Sequence, residues 1–210
     1  MAVVILNVGQ LQTNCYLFYD ENTREAVIID PGDDGEFIFN KIKDLNLKPK
    51  AILATHGHFD HILAATELKL AFSIPFCLNA KDVKILARTQ KTTKYFTGLD
   101  VDPAPAVDNF LINNTILTIG NLGLQVFVTP GHTLGSICLY CEKEKLIFSG
   151  DLIFKDGGFG RTDLEGGDFS VLKQSIKKIL SLNKHTIIYP GHGLKTSIEN
   201  EKNFWEFSAV

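Results

Sequence analysis

Between Ala51 and His61 the chain reads AILATHGHFDH, a short apolar run that ends in three histidines and an aspartate. Imidazole nitrogens and carboxylate oxygens without a thiolate are a donor set for zinc, iron or manganese. His56 and His58, one glycine apart, can turn their rings to the same side of a tight loop and grip one cation. Asp60 and His61, one step further on, are placed to hold a second ion beside it. The competing reading is a solvated loop, but unpaired histidines seldom crowd beside a buried strand. Four side chains cannot complete two coordination shells, so more ligands are expected from other parts of the chain. Three further apolar runs end in suitable residues: Val126 to Val128 leads to His132, Leu146 to Phe148 to Asp151, and Ile187 to Tyr189 to His192. Of the six histidines, five fall in these loops, a concentration that chance scattering would not give.

Strands must deliver these loops, because rigid strand ends fix the loops that carry chemistry. Ala51 to Ala54 is apolar without alternation, which predicts a strand buried on both faces. Before it, AVVILNV, NCYLFYD and EAVIIDPG predict three strands in an antiparallel meander. Asp30-Pro31-Gly32 reads as a turn in which Asp30 bonds backbone. Asp33 or Asp34 is expected to cap a helix whose apolar stripe is Phe37, Ile38, Lys41, Ile42 and Leu45. After the histidine loop, Ile62 to Ala71 suits a helix, PFCLN a short strand and AKDVKILA another helix. Arg88 to Ala106 has no sustained period and reads as a loop with at most a short helix, either overhanging the site or simply connecting. NTILTIG, LGLQVFV, SICLYCE and KLIFSG predict a second sheet. Phe169, Leu172, Ile176, Ile179 and Leu180 mark an amphipathic covering helix before the last strand, TIIYP. Alternation of strands and helices indicates α/β or α+β architecture.

With 210 residues, 45% of them apolar, one sizeable core is the expectation, and residues 1–210 read as a single domain. A net charge of −3 without a basic cluster argues against a nucleic-acid partner. MAVVILNVGQ lacks a basic leader region, and no window reaches spanning length, so a cytoplasmic protein without membrane attachment is expected. Cys138 and Cys141, three apart in a predicted strand, face opposite ways and cannot chelate together. All four cysteines, including Cys15 and Cys77, are expected to be reduced and buried. No nucleophile elbow, H-E-x-x-H helix, Walker loop or dinucleotide motif is present. Gly157, Gly158 and Gly160 are expected to let backbone approach the metal pocket closely.

The order His56-Gly-His58-Phe-Asp60-His61, Gly131-His132, Gly150-Asp151 and Gly191-His192 resembles the metal signature of the metallo-β-lactamase superfamily. PGHTLGS, SGDLIF, GRTDLEGGD and YPGHG further resemble its hydroxyacylglutathione hydrolase, or glyoxalase II, branch in a short single-domain form. The resemblance implies a four-layer αββα sandwich, the metallo-β-lactamase fold, made of two similar halves. It implies two divalent metal ions, zinc foremost with iron or manganese as options. His56, His58 and His132 would take the first, Asp60, His61 and His192 the second, with Asp151 bridging. The implied activity is hydrolysis of an acyl thioester such as S-D-lactoylglutathione by hydroxide held between the ions. Asp60 and Asp151 are the catalytic carboxylates on this reading, with Asp60 also able to take a proton from the attacking water. A thiolate, whose acid has a pKa of about 8.5, leaves without a strong general acid. Arg161 is a candidate anchor for a substrate carboxylate, the rival reading being an ion pair with Asp163 or Asp168. Alternatives within the superfamily are an iron-dependent persulfide dioxygenase using one metal, and a lactonase or β-lactamase. Full-length glyoxalase II enzymes carry a C-terminal helical domain, whereas 18 residues follow His192 here; the thiol carrier is therefore open, as is the oligomeric state.

Overall fold

The computed structural model describes residues 1–207. β1 (Ala2–Val8), β2 (Thr13–Tyr19) and β3 (Glu25–Ile29) form the expected meander, Leu17 lying opposite both Val4 and Ile28. α1 (Gly35–Asp44) crosses to β4 (Lys48–Leu53), parallel to β3. α2 (Ala65–Phe72) leads to β5 (Phe76–Leu78), parallel to β4. The short α3 (Val83–Leu86) and α4 (Thr89–Thr97) precede the edge strand β6 (Asn109–Phe110). β7 (Ile116–Ile119), β8 (Leu122–Val128), β9 (Ile137–Cys141) and β10 (Leu146–Gly150) then run antiparallel in sequence. α5 (Phe169–Leu180) returns the chain to β11 (Ile187–Pro190), parallel to β10, and β12 (Thr196–Ser197) leads into α6 (Ile198–Phe207). Each sheet has six strands, ordered β1 to β6 in one and β12 to β7 in the other.

Side chains alternate across each strand, and that alternation builds the layers. On β2, Tyr16 and Phe18 meet Leu139, Leu146 and Phe148 from the second sheet, whereas Cys15 and Leu17 turn outward to Ile38, Ile42 and Leu68 of the helices. On β10, Ile147 turns outward to Leu172, Ile176 and Ile179 of α5. The result is the four-layer αββα sandwich. A strand covered by a sheet on one side and helices on the other has no solvated face, which explains the continuous apolar runs. Phe148 is the inter-sheet anchor, its ring 5.0 Å from Tyr16, 5.7 Å from Phe18 and 5.4 Å from Tyr189.

Several local expectations are corrected. Phe37 is exposed, and Phe39 instead stacks on Phe72, so the buried stripe of α1 is Ile38 and Ile42. Asp34 holds the N-cap position of that helix, but in a left-handed conformation at φ 53° and without a side-chain capping bond, its carboxylate accepting the Gly9 N–H instead. AKDVKILA is a 3-10 turn running into a four-residue helix. The 88–106 stretch holds the nine-residue α4, whose period is carried by threonines: Thr93 Oγ1 donates to the Thr89 carbonyl and Thr97 Oγ1 to that of Thr93. Phe169 is exposed at the start of α5. All four cysteines are buried and unpaired, with Cys138 outward and Cys141 between the sheets. Among the described residues no helix is long and apolar enough to cross a membrane.

Candidate metal centre

At one end of the sandwich the loops after β4, β8, β10 and β11 converge and bring all seven predicted ligands together. His58 Nδ1, His56 Nε2 and His132 Nε2 form a triangle with sides of 3.1, 3.2 and 2.9 Å. Tetrahedral coordination at about 2.0–2.1 Å would separate such nitrogens by about 3.3 Å, close to the spacing observed. Beside the triangle, Asp60, His61 and His192 offer a second set of ligand atoms within 4.8 Å of one another. His192 Nε2 lies 3.4 Å from Asp60 Oδ2, and His61 Nε2 3.7 Å from it. Asp151 stands between the sets: its Oδ1 is 3.4 Å from His61 Nε2, and its Oδ2 is 3.6 Å from His132 Nε2 and 3.7 Å from His192 Nε2. His61 Nε2 and Asp151 Oδ1 are buried without a hydrogen-bond partner. Buried polar atoms are nearly always satisfied, so these two orphans, facing each other, fit a cation.

In His56, His61, His132 and His192 the outer nitrogen, Nδ1, fixes what the inner one presents. His132 Nδ1 donates to the Arg161 carbonyl at 2.7 Å and His192 Nδ1 to that of Leu11 at 3.1 Å. His61 Nδ1 donates to Asp30 Oδ2 at 3.0 Å. Thr55 Oγ1 donates to the same carboxylate at 2.7 Å, leaving its lone pair for His56 Nδ1 at 3.1 Å. Each Nε2 thus turns a lone pair inward, the arrangement usual for metal-binding histidines. Asp30 is more than the turn residue expected, since it orients two rings; its place at the end of β3, beside β4, was the available signal. Asn14 and Tyr16 hold the last loop, Asn14 Nδ2 donating to the Pro190 and Gly193 carbonyls at 2.9 Å and Tyr16 Oη to Pro190 at 2.5 Å. A polar residue in an otherwise apolar strand marked Asn14. Gly160 is needed for close approach, as a Cβ there would lie 2.3 Å from the Asp151 carbonyl and 2.8 Å from His132 Nδ1.

Electrostatics separates the two sets. Burial, reinforced by neighbouring imidazoles, pushes His56 well below the usual histidine range, and burial with His132 brings His58 down to about 4. Burial also weighs most on His61, but Asp151, Asp30 and Asp60 together override it and hold its pKa well above normal. His192 is raised by Asp60 and Asp151 against its own burial. Burial weighs most and favours the neutral acids at Asp151 and Asp60, yet His61 and the neighbouring imidazoles together override it and keep both below the carboxylate range. In the first set His56 and His58 are thus held as neutral acceptors. The second is a charge-balanced cluster in which a cation would replace protons.

A cleft of about 390 Å³ opens beside His58 and Asp60, walled by Leu11, Phe59, Ile85, Phe96 and Leu164. α4 supplies one wall, Phe96 lying parallel to Phe59 at 6.0 Å, so the 88–106 stretch does overhang the site. Arg161 reaches this cleft, but its guanidinium is engaged by both oxygens of Asp163 at 2.7 and 2.6 Å. Asp168 instead caps α5, accepting the Val171 N–H. The firm link of Arg161 to the centre is therefore its carbonyl on His132. Arg88, also at the rim, pairs with Glu165.

Two stacked six-stranded sheets flanked by helices, with a histidine and aspartate pocket at the strand ends, define an αββα protein built to receive divalent metal. The metallo-beta-lactamase superfamily model matches residues 8–192. The probable metallo-hydrolase YqgX of Bacillus subtilis is 38% identical over 198 residues, covering 93% of this chain and 92% of that protein. Hydroxyacylglutathione hydrolase GloC of Haemophilus influenzae is 37% identical over 210 residues, covering 96% and 95%. Among solved structures, the BLEG-1 B3 metallo-beta-lactamase aligns with a TM-score of 0.91 at 41% identity over the whole of both chains. TTHA1623 in a di-iron-bound form aligns at 0.87 with 34% identity, covering 96% and 97%. The chain belongs to the metallo-β-lactamase superfamily.

Proposed function

We propose that the protein is a dinuclear metal-dependent hydrolase of acyl thioesters, of the glyoxalase II type. The observation that carries the reading is Asp151, standing between the two ligand sets, with Oδ1 toward His61 and Oδ2 between His132 and His192. His56, His58 and His132 would hold one ion and Asp60, His61 and His192 the other. Zinc suits this shell, and iron or manganese would also fit; the di-iron form of TTHA1623 supports iron as an occupant. When bound, such ions polarise a carbonyl and bring the pKa of water toward about 7. The chain's own residues then orient the reaction. Asp60, whose Oδ2 faces His192, is placed to accept the proton of an attacking water. Phe59, Phe96 and Leu164 exclude solvent on the cleft side, and the cleft beside His58 admits an acyl group of modest size.

Thioester specificity is supported by the GRTDLEGGD stretch and by likeness to the Haemophilus protein. It is also supported by the cleft lining, in which the one carboxylate apart from Asp60 is Glu165, already paired with Arg88. That composition suits a leaving group that needs no strong acid. A second reading, β-lactam hydrolysis, is favoured by the likeness to BLEG-1. A panel of acyl thioesters with different thiol carriers, a chromogenic cephalosporin and glutathione persulfide with oxygen-uptake recording, alongside metal analysis, tests the proposal. Thioester cleavage proportional to bound metal is expected. Cephalosporin cleavage or persulfide oxidation in its absence would refute it.

A further inference from the structure

We infer that Asp82 is a positioning residue for the first cation set, an assignment that rests on the metal reading above. Asp82 lies in the turn after β5, belongs to none of the ligand groups and is completely buried. Its Oδ2 accepts the Gly57 N–H at 3.0 Å and the Thr133 hydroxyl at 2.7 Å, and its Oδ1 accepts the Gly135 N–H at 2.7 Å. Gly57 is the residue between His56 and His58, and Thr133 follows His132. One carboxylate therefore bolts together the two loops that supply all three nitrogens.

The geometry of the triangle makes this bolt consequential. The His56–His58 side lies within one loop, but the two sides that end at His132 cross from one loop to the other. Their lengths, 3.2 and 2.9 Å, are set by how the loops dock. Gly135 admits the carboxylate by lacking a side chain, since a Cβ there would fall 2.5 Å from Asp82 Oδ1, and Gly57 lets its loop lie close, a Cβ there falling 3.0 Å from the main-chain carbonyl of Asp82. Thr133 is steadied in turn, its N–H donating to Ser136 Oγ at 3.1 Å and its Oγ1 lying 2.7 Å from the same oxygen. The second set draws on Asp60, His61 and His192, which Asp82 does not touch. A carboxylate serving stability alone would weaken both sets together; one serving this triangle weakens the first.

The test titrates chelator-stripped protein with Co²⁺ and follows the visible ligand-field bands and stoichiometry. Wild type is expected to take two equivalents. Asp82→Ala should bind one of them about 10–100-fold more weakly, the usual cost of losing a group that supports ligands, and leave the other within about threefold. His192→Ala should lose the other equivalent, and the double variant should bind none where each single variant binds one. Thr133→Val, which removes a single donor, should weaken the same equivalent several-fold with the fold intact, and it decides the matter should Asp82→Ala not fold. Two equivalents at wild-type affinity in the folded variants, or equal weakening of both, would overturn the role of Asp82 alone. A wild-type protein that takes up no cobalt would overturn the metal reading and this role with it.

Discussion

Gly191→Ala is the sharpest probe of the centre. A Cβ on Gly191 would sit 2.1 Å from Asp151 Oδ1 and 2.8 Å from His61 Cε1, whereas real contacts to a Cβ stay beyond 3.0 Å, so the oxygen must retreat by about 0.9 Å. The backbone cannot yield instead, because the Gly191 N–H donates to Gly150 at 2.8 Å and its carbonyl accepts from Asn14 at 2.7 Å. Turning Asp151 off its rotamer costs about 0.5–1.5 kcal/mol and overpacking about 1–3 kcal/mol, so the fold should survive. A displacement near 1 Å in a catalytic array lowers turnover by about 10²-fold. We expect a folded protein that holds fewer than two metal equivalents by elemental analysis and hydrolyses the best panel substrate about 100-fold more slowly. Gly193→Ala is the control: φ is +75° and nothing lies within 4 Å of its Cβ, so it bears only the left-handed backbone cost of about 1–2 kcal/mol. Full metal content and turnover within threefold of wild type in Gly191→Ala would refute the placement of Asp151 between the sets.

Other outcomes follow from the same structure. In metal-free protein, His56 and His58 titrate below their unfolded pKa of about 6.5, so their contribution is lost progressively as pH falls below that point. His61 and His192 titrate above it, so theirs is lost as pH rises past about 6.5. The denaturation midpoint should therefore peak near pH 6.5, and a monotonic profile between pH 4.5 and 8.5 would contradict the assignment. Phe148→Ala should destabilise by about 3–5 kcal/mol and lower Tm by roughly 10 °C, read by circular dichroism, because it opens the aromatic cluster between the sheets. Burial raises the thiols of Cys77 to about 11 and Cys138 to about 12, and holds that of Cys15 well above the ordinary thiol range. Native protein should show no thiol titre with a disulfide reagent, and four after unfolding.

Much of the fold was legible because continuous apolar runs and a 3.6-residue period leave few alternatives: the two meanders and α5 fell where the patterns put them. The seven converging residues were legible because all follow apolar runs, and only strand ends can gather such distant segments. Less legible was whatever depended on polar contacts between elements. Asp34 faces Gly9 instead of its own helix, and α4 hides its period in threonines. Asp30 and Asp82 act through partners at least 25 positions away, which no local pattern encodes. Arg161 illustrates the limit from the other side: residue type suggested its guanidinium, while its position uses its carbonyl.

Each cation set draws two side chains from the loop after β4 and one from a loop of the opposite sheet, His132 or His192. Neither half of the chain can bind tightly before the other has docked against it. Metal uptake during refolding should thus report the moment the halves unite, and a bound ion should act as a rivet across their seam. Stripping it would loosen the join first where Thr13, at the start of β2, bridges to His192.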